Sequence, residues 1–141
     1  MEVVASHMHD HWRTPRRLAD GGYEPRPKKT EDQEWIAQNG TDDVDIANTA
    51  YEDLPADWQK ETRASALVAV GVTADGLRNG QRVGESAFVE SASAKVHEAW
   101  LERNGDWAPP EQRLPYHRLS EPEKAKDRVF VLKALEILGV R

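Results

Sequence analysis

His9 and Trp12 in "HDHW" are answered 88 residues later by His97 and Trp100 in "HEAW". Tyr23 and Pro25 in "YEP" correspond to Trp107 and Pro109 in "WAP" at an offset of 84. Tyr51, Leu54 and Arg63 in "YEDLPADWQKETR" correspond to Tyr116, Leu119 and Arg128 in "YHRLSEPEKAKDR" at an offset of 65. The order is kept and the offset only falls, so the first copy carries 4 and then 19 extra residues. An internal repeat constrains a chain more than its composition does, because whatever one half folds into, the other should fold into as well.

The second copy is the more legible. "GESAFVESASAKVHEAWLERNG" places Val89, Ala92, Val96, Ala99 and Trp100 at three- and four-residue spacing, which predicts a helix over about 85–104 with Gly105 as its C′ residue. Pro109 and Pro110 in "DWAPPEQRLPY" forbid its continuation and predict an extended connection. A second helix starts at Ser120, with Glu123 completing a capping box. Val129, Leu132, Leu135 and Leu138 are its expected buried stripe, and Gly139 ends it.

The first copy carries weaker signals: a helix over about 4–12, a break at Pro15, and a helix over about 55–72 with Pro55 in its first turn. Trp58, Leu67 and Val68 give this second helix a partial apolar face. The 19-residue insertion predicts a short helix over 31–38, ended by Asn39-Gly40. The expectation is an all-α protein of two divergent helical hairpins with long extended connections and pseudo-twofold symmetry. The first repeat covers 8–72 with an insertion at about 26–48, a glycine-bearing linker covers 73–84, and the second repeat covers 85–140. "SHM" at 6–8 matches a common cloning remnant, so residues 1–7 are set aside from site reasoning and Met8 is taken as the native start.

At 141 residues the chain can bury roughly 68–70% of its unfolded surface and needs no covalent staples. It has no cysteine, which removes disulfides, thiolate metal sites and cysteine nucleophiles and fits a reducing, cytoplasmic setting. No apolar run approaches a membrane span, and "MEVVASHMHDHW" lacks the apolar core of a signal peptide. A net charge of −6 argues against a nucleic-acid partner. The charge is unevenly spread. Residues 13–29 hold Arg13, Arg16, Arg17, Arg26, Lys28 and Lys29 against Asp20 and Glu24, whereas residues 31–61 hold ten acids and only Lys60. The basic stretch is either a solvated face or an anion-binding rim.

"HEAW", "DW", "LPYHRLSEPEKAKDR" and "LKALEILGV" together resemble the ryanodine-receptor repeat (RyR) domain, through His97, Glu98, Trp100, Trp107, Pro115, Tyr116, Leu119, Glu123, Lys124, Asp127, Arg128, Leu132, Leu135 and Gly139. The likeness covers about 45 residues, and the first copy keeps only His9, Trp12, Tyr23, Tyr51, Leu54 and Arg63. The segment between Trp107 and Tyr116 lacks the family's usual K-x-H-P element, so no loop contact is carried over. "DIANT", "LPADWQ" and the C-terminal motif together are also similar to small bacterial and prophage proteins bearing this domain. The resemblance implies tandem copies with pseudo-twofold symmetry and a cytosolic setting. In bacteria it implies the sensing of nucleotide-derived ligands.

For chemistry the residues leave two readings open. Trp12, Tyr51, Trp100 and Tyr116 are core side chains whose polar tips find backbone carbonyls, or a stacking wall between the copies. Arg63 and Arg128 are structural salt-bridge partners, or a pair of guanidiniums that clamp an anion. His9 and His97 cap or orient their loops, or contact the ligand. His7 and His11 have zinc spacing without a third ligand, and "DDVDIANTAYEDL" lacks the glycine and the final glutamate of a calcium loop, so no metal or cofactor is expected. Nucleophile-elbow, phosphate-loop and dinucleotide motifs are absent, so the chain is not expected to be an enzyme. The expected role is a non-catalytic binding module holding a small anionic, nucleotide-like ligand against Trp12, Tyr51, Arg63, Trp100, Tyr116 and Arg128. The alternative is a protein-interaction or prophage accessory protein presenting Trp35 or Trp58.

Overall fold

The computed structural model describes residues 2–106 and 108–140, so Trp107 lies outside the described residues, and with it the Tyr23–Trp107 pairing. The protein is mainly helical with one small sheet: α1 (Glu2–Arg13), β1 (Pro27–Lys29), α2 (Gln33–Asn39), β2 (Asp43–Asp45), α3 (Ala56–Arg78), α4 (Ser86–Asn104) and α5 (Glu121–Ile137). No helix among the described residues is long and apolar enough to cross a membrane. The chain divides into two compact units, Met1–Ala64 and Ser65–Arg141, with the boundary inside α3.

In the first unit α1 begins at Glu2, and Ala5 is fully buried in a cluster with Val44, Ile46, Tyr51 and Leu54. Residues set aside from site reasoning thus supply part of the core. The insertion, expected without strands, forms a ribbon. Lys28 pairs with Val44 in antiparallel β1 and β2, and α2 bridges the two strands. Strands form there because Val44 and Ile46, two apart, put their side chains on one face and bury both.

Asp32 fixes the helix of the insertion to the start of α3. One of its carboxylate oxygens accepts from the Trp35 amide at 3.1 Å, and the other from the Ala56 amide at 2.8 Å. A single side chain thereby caps two helices. Asp57 returns the contact, accepting from the Thr30 hydroxyl at 2.7 Å and the Glu31 amide at 3.0 Å. Gly40, at φ 72°, closes α2 in the left-handed conformation that favours glycine.

In the second unit α4 packs against α5. The segment 73–78, expected to be linker, is the last part of α3. Gly76 is the reason the helix continues through a residue of poor helix propensity. A Cβ there would stand 2.7 Å from the Phe88 ring and 2.8 Å from Val83, so the glycine makes room for packing. Gly105, expected as the C′ residue, has φ −59° and stays right-handed, so it does not make the left-handed stop that a C′ glycine commonly supplies. At α5 the Ser120 hydroxyl accepts from the Glu123 amide, but the Glu123 carboxylate turns to Lys126 at 2.9 Å instead of closing the capping box. Gly139, at φ 77°, ends the helix: the Val140 amide reaches the Leu135 carbonyl at 2.9 Å and the Gly139 amide the Glu136 carbonyl at 3.1 Å.

The buried stripe of α5 differs from the expected one. Val131, Ala134 and Leu135 are buried, whereas Leu132 and Leu138 are 47% and 37% exposed. Only Leu135 belongs to both sets. The rotation of α5 is set by Asp127 and Arg128, which reach His97 and Glu90 on α4 and so turn Val131 and Ala134, four and seven residues after Asp127, toward α4. Leu67 on α3 is likewise 61% exposed, and Ala66, Ala69 and Thr73 are buried instead.

Candidate functional site

Each unit contains a histidine–tryptophan pair, a tyrosine-bearing 3-10 turn and an arginine twelve residues after that tyrosine. In the first unit His9 Nε2 donates to the Thr49 carbonyl at 2.8 Å, a contact that fixes its proton on Nε2 because a carbonyl can only accept. Trp12 is half-buried and stacks on the His9 ring with centroids 5.7 Å apart. Tyr51 opens the 3-10 turn Tyr51–Asp53, is 3% exposed, and accepts from Arg63 Nη1 through its phenol at 3.3 Å. Gln59 donates to the Tyr51 carbonyl at 2.9 Å. Burial, the largest influence on His9, outweighs its backbone hydrogen bonds and holds its pKa below the ordinary value.

In the second unit His97 Nε2 donates to the Leu114 carbonyl at 2.7 Å, and Trp100 stacks on His97 with centroids 6.0 Å apart. Tyr116 opens the turn Tyr116–Arg118 and is 2% exposed. Its phenol donates to the Glu90 carboxylate and accepts from Arg128 Nε at 3.0 Å. Burial first, and the bond to Glu90 second, push the Tyr116 phenol up to about 12. Arg128 also meets Glu90 through Nη2 at 2.5 Å and Glu121 through Nη1 at 2.9 Å. The bond from Arg128 is the main reason that Glu90 is held below its ordinary value.

Of the six predicted site residues, Tyr51–Arg63 and Tyr116–Arg128 are brought together, each pair within its own unit. Trp12 packs against the core cluster that contains Tyr51. Arg128 is engaged by two carboxylates, so an anion would have to displace Glu90 and Glu121 to reach it. Trp35 and Trp58, of which the protein-interaction alternative expected one or the other in an exposed patch, are half-buried against the core with their indole N–H groups on the Asp53 carbonyl at 3.1 Å and the Lys29 carbonyl at 3.0 Å.

Sequence reasoning missed Glu90 as the partner of Arg128. The signal was present, since Glu90 lies seven residues before His97 and therefore on the same face of α4. Also missed was how the basic stretch uses its rings. Arg16 lies over Trp12 at 4.5 Å, and Arg13 and Arg17 lie over Tyr23 at 4.7 and 5.7 Å. A short turn makes this possible: Gly21 at φ 91° folds the chain back so that Arg17 and Tyr23 pair. Asn48 then grips Tyr23 by its backbone, accepting from its amide at 2.8 Å and donating to its carbonyl at 2.9 Å. Arg13 is further held by Asp10 at 3.2 Å and donates to the Ala47 carbonyl at 3.3 Å. Trp12 and Tyr23 thus each have guanidiniums over their faces, a cluster of planar cations and aromatic rings that can meet negative charge.

Among the described residues no group of three His, Cys, Asp or Glu side chains is placed to hold a metal ion. No protein-family model matches the chain, and neither curated proteins nor solved structures give a significant match.

Proposed function

We propose that this protein is a non-catalytic binding module for a small anionic, nucleotide-like ligand, built from two diverged copies of a RyR-like helical hairpin. The duplication is supported by local geometry that recurs at the paired positions. His9 and His97 each hold a connection carbonyl, Trp12 and Trp100 each stack on the histidine three residues before, and Tyr51 and Tyr116 each accept from an arginine twelve residues on.

The observation that carries the binding reading is the arginine–aromatic face of the first unit, where Arg16 covers Trp12 and Arg13 and Arg17 flank Tyr23. The expected clamp of Arg63 and Arg128 is thereby replaced as the principal anion contact, because Arg128 is already neutralised by Glu90 and Glu121. The test is a thermal-shift and calorimetric series with inorganic phosphate, pyrophosphate, nucleoside mono- and triphosphates and cyclic dinucleotides. A ligand at one hundred times its dissociation constant stabilises the folded state by about 2.7 kcal/mol, an easily read shift. Arg16→Ala with Arg17→Ala should abolish that shift, and Arg128→Met should leave it in place. A silent series, or a shift indifferent to Arg16 and Arg17, would sink the proposal.

A second reading, a protein-interaction module, is favoured by apolar side chains exposed in the second unit: Leu67, Leu77, Leu132, Ile137 and Leu138. Concentration-dependent association in sedimentation equilibrium, removed by Leu67→Lys and Leu132→Lys, would support it.

A further inference from the structure

We propose that His97 and Asp127 form a protonation-dependent latch that ties the 108–119 connection and α5 to α4, and that releases the connection as the pH rises. Both ring nitrogens of His97 are used. Nε2 lies 2.7 Å from the Leu114 carbonyl, and Nδ1 lies 3.4 Å from Asp127 Oδ2. Carbonyl oxygens, and those of an ionised Asp127, only accept, so satisfying both contacts then requires a proton on each nitrogen, which is the imidazolium form. The side chains are 5% and 14% exposed, so water cannot replace either partner cheaply. With Nε2 committed to a backbone carbonyl, the pair is a clamp and is not free to act as a general base.

The charged groups around the ring are few. From α5, Asp127, Glu123 and Lys126 face it, with Lys126 tied to Glu123 at 2.9 Å. Among the described residues, the connection meets it through the Leu114 carbonyl and α4 through the Trp100 ring stacked on it. Loss of the Nδ1 proton turns a lone pair toward the Asp127 carboxylate inside a closed site. The ring must then tilt or flip, and the Leu114 contact goes with it.

The first unit supplies an internal control. His9 makes the same bond to a connection carbonyl, but the position matching Asp127 at an offset of 65 is Thr62, whose hydroxyl donates to Trp58. No carboxylate takes the place of Asp127 there, and burial, the largest influence on His9, holds it below its ordinary value, opposite in direction to His97.

The electrostatics agree with this geometry. Burial of His97 works against its charge, but the bonds to Asp127 and Leu114 and the negative charges of Asp127 and Glu123 outweigh it and raise its pKa above 6.5. Burial also raises Asp127, so the folded pair holds its protons more firmly than the two groups do in water. A raised histidine contributes stability that is complete below the unfolded value and is lost as pH rises through the folded one.

The experiment is a histidine-resolved NMR titration of the full chain, paired with amide-exchange protection factors corrected for intrinsic rates. His97 should titrate above 6.5 and above His9, and protection of residues 108–119 should fall several-fold across the same step. Protection in the first unit should not follow it. Asp127→Asn should bring the His97 titration down, and His97→Gln, which keeps a donor for Leu114, should make the protection independent of pH. A His97 that is already neutral at pH 6, or protection of 108–119 that ignores its titration, would overturn the latch. The wild-type measurement decides this even if neither variant folds.

Discussion

Arg128 spans 38 residues of chain to reach Glu90, with Nη2 2.5 Å from one carboxylate oxygen and Nε 3.1 Å from the other. The two parallel bonds make a fork that fixes both planes, and the Tyr116 phenol sits against it on Nε. In the first unit Arg63 meets Tyr51 at the same separation of twelve residues.

This fork predicts an optical signature. The Tyr116 phenol is pushed up to about 12, by burial and then by Glu90. In a spectrophotometric titration at 295 nm, Tyr116 should ionise late, and Tyr116→Phe should remove that late step. Arg128→Met should bring unfolding forward by about 1–2 kcal/mol in urea. That lies between exposed and buried pairs because Glu90 is 35% exposed and Arg128 26%.

Two glycines on α3 should respond to alanine with opposite signs. Gly71 has nothing within 4 Å of its missing Cβ, so Gly71→Ala should gain helix propensity alone and stabilise by about 0.5–1 kcal/mol. Gly76→Ala gains the same propensity but forces a Cβ to 2.7 Å from Phe88, and the overpacking, about 1–3 kcal/mol, wins. Phe88→Leu in the same chain should recover part of the loss. Chemical denaturation of the three variants beside the parent chain checks all three signs.

The rotation of α5 can be tested by two neighbouring substitutions. Val131 is fully buried and Leu132 is 47% exposed. Val131→Ala should lower stability by about 2 kcal/mol, and Leu132→Ala, although it removes more carbon, by less than about 1. The reverse order in thermal denaturation would mean that α5 turns its other face to α4.

Acid should loosen the insertion. Backbone amides of Ala56 and Trp35 hold the Asp32 carboxyl below its ordinary value. For Asp45 burial opposes the charge, but the Arg26 amide and Asn48 outweigh it and lower the pKa. Depressed carboxyls contribute stability that is full above 3.8 and lost as pH falls through their folded values. The fluorescence of Trp35 and Trp58, which pack beside these groups, should change on acidification below pH 4. Asp32→Asn should move the onset and flatten its slope.

Much of the secondary structure was legible because its signals are local. The Pro109-Pro110 break, the Ser120 cap and the Gly40 and Gly139 ends each act within one helical turn, and they fall where expected. The paired His9 and His97 were also readable as loop-orienting groups, since each sits one turn before its tryptophan. The ribbon of 27–45 was not, because three-residue strands carry too little alternation to stand out from a charged loop.

The sequence by itself determined the ends of α2, α4 and α5 and the start of α3, because caps, prolines and glycines settle those points with their own neighbours. Only the tertiary structure decided which face of α5 is buried, why α3 passes through Gly76, and what Arg128 holds. Those outcomes turn on Glu90, Phe88 and His97, groups twelve to thirty-eight residues away whose proximity no local pattern encodes. Side-chain pairing across that distance set the phase of the helix, and the apolar spacing along it was compatible with more than one rotation.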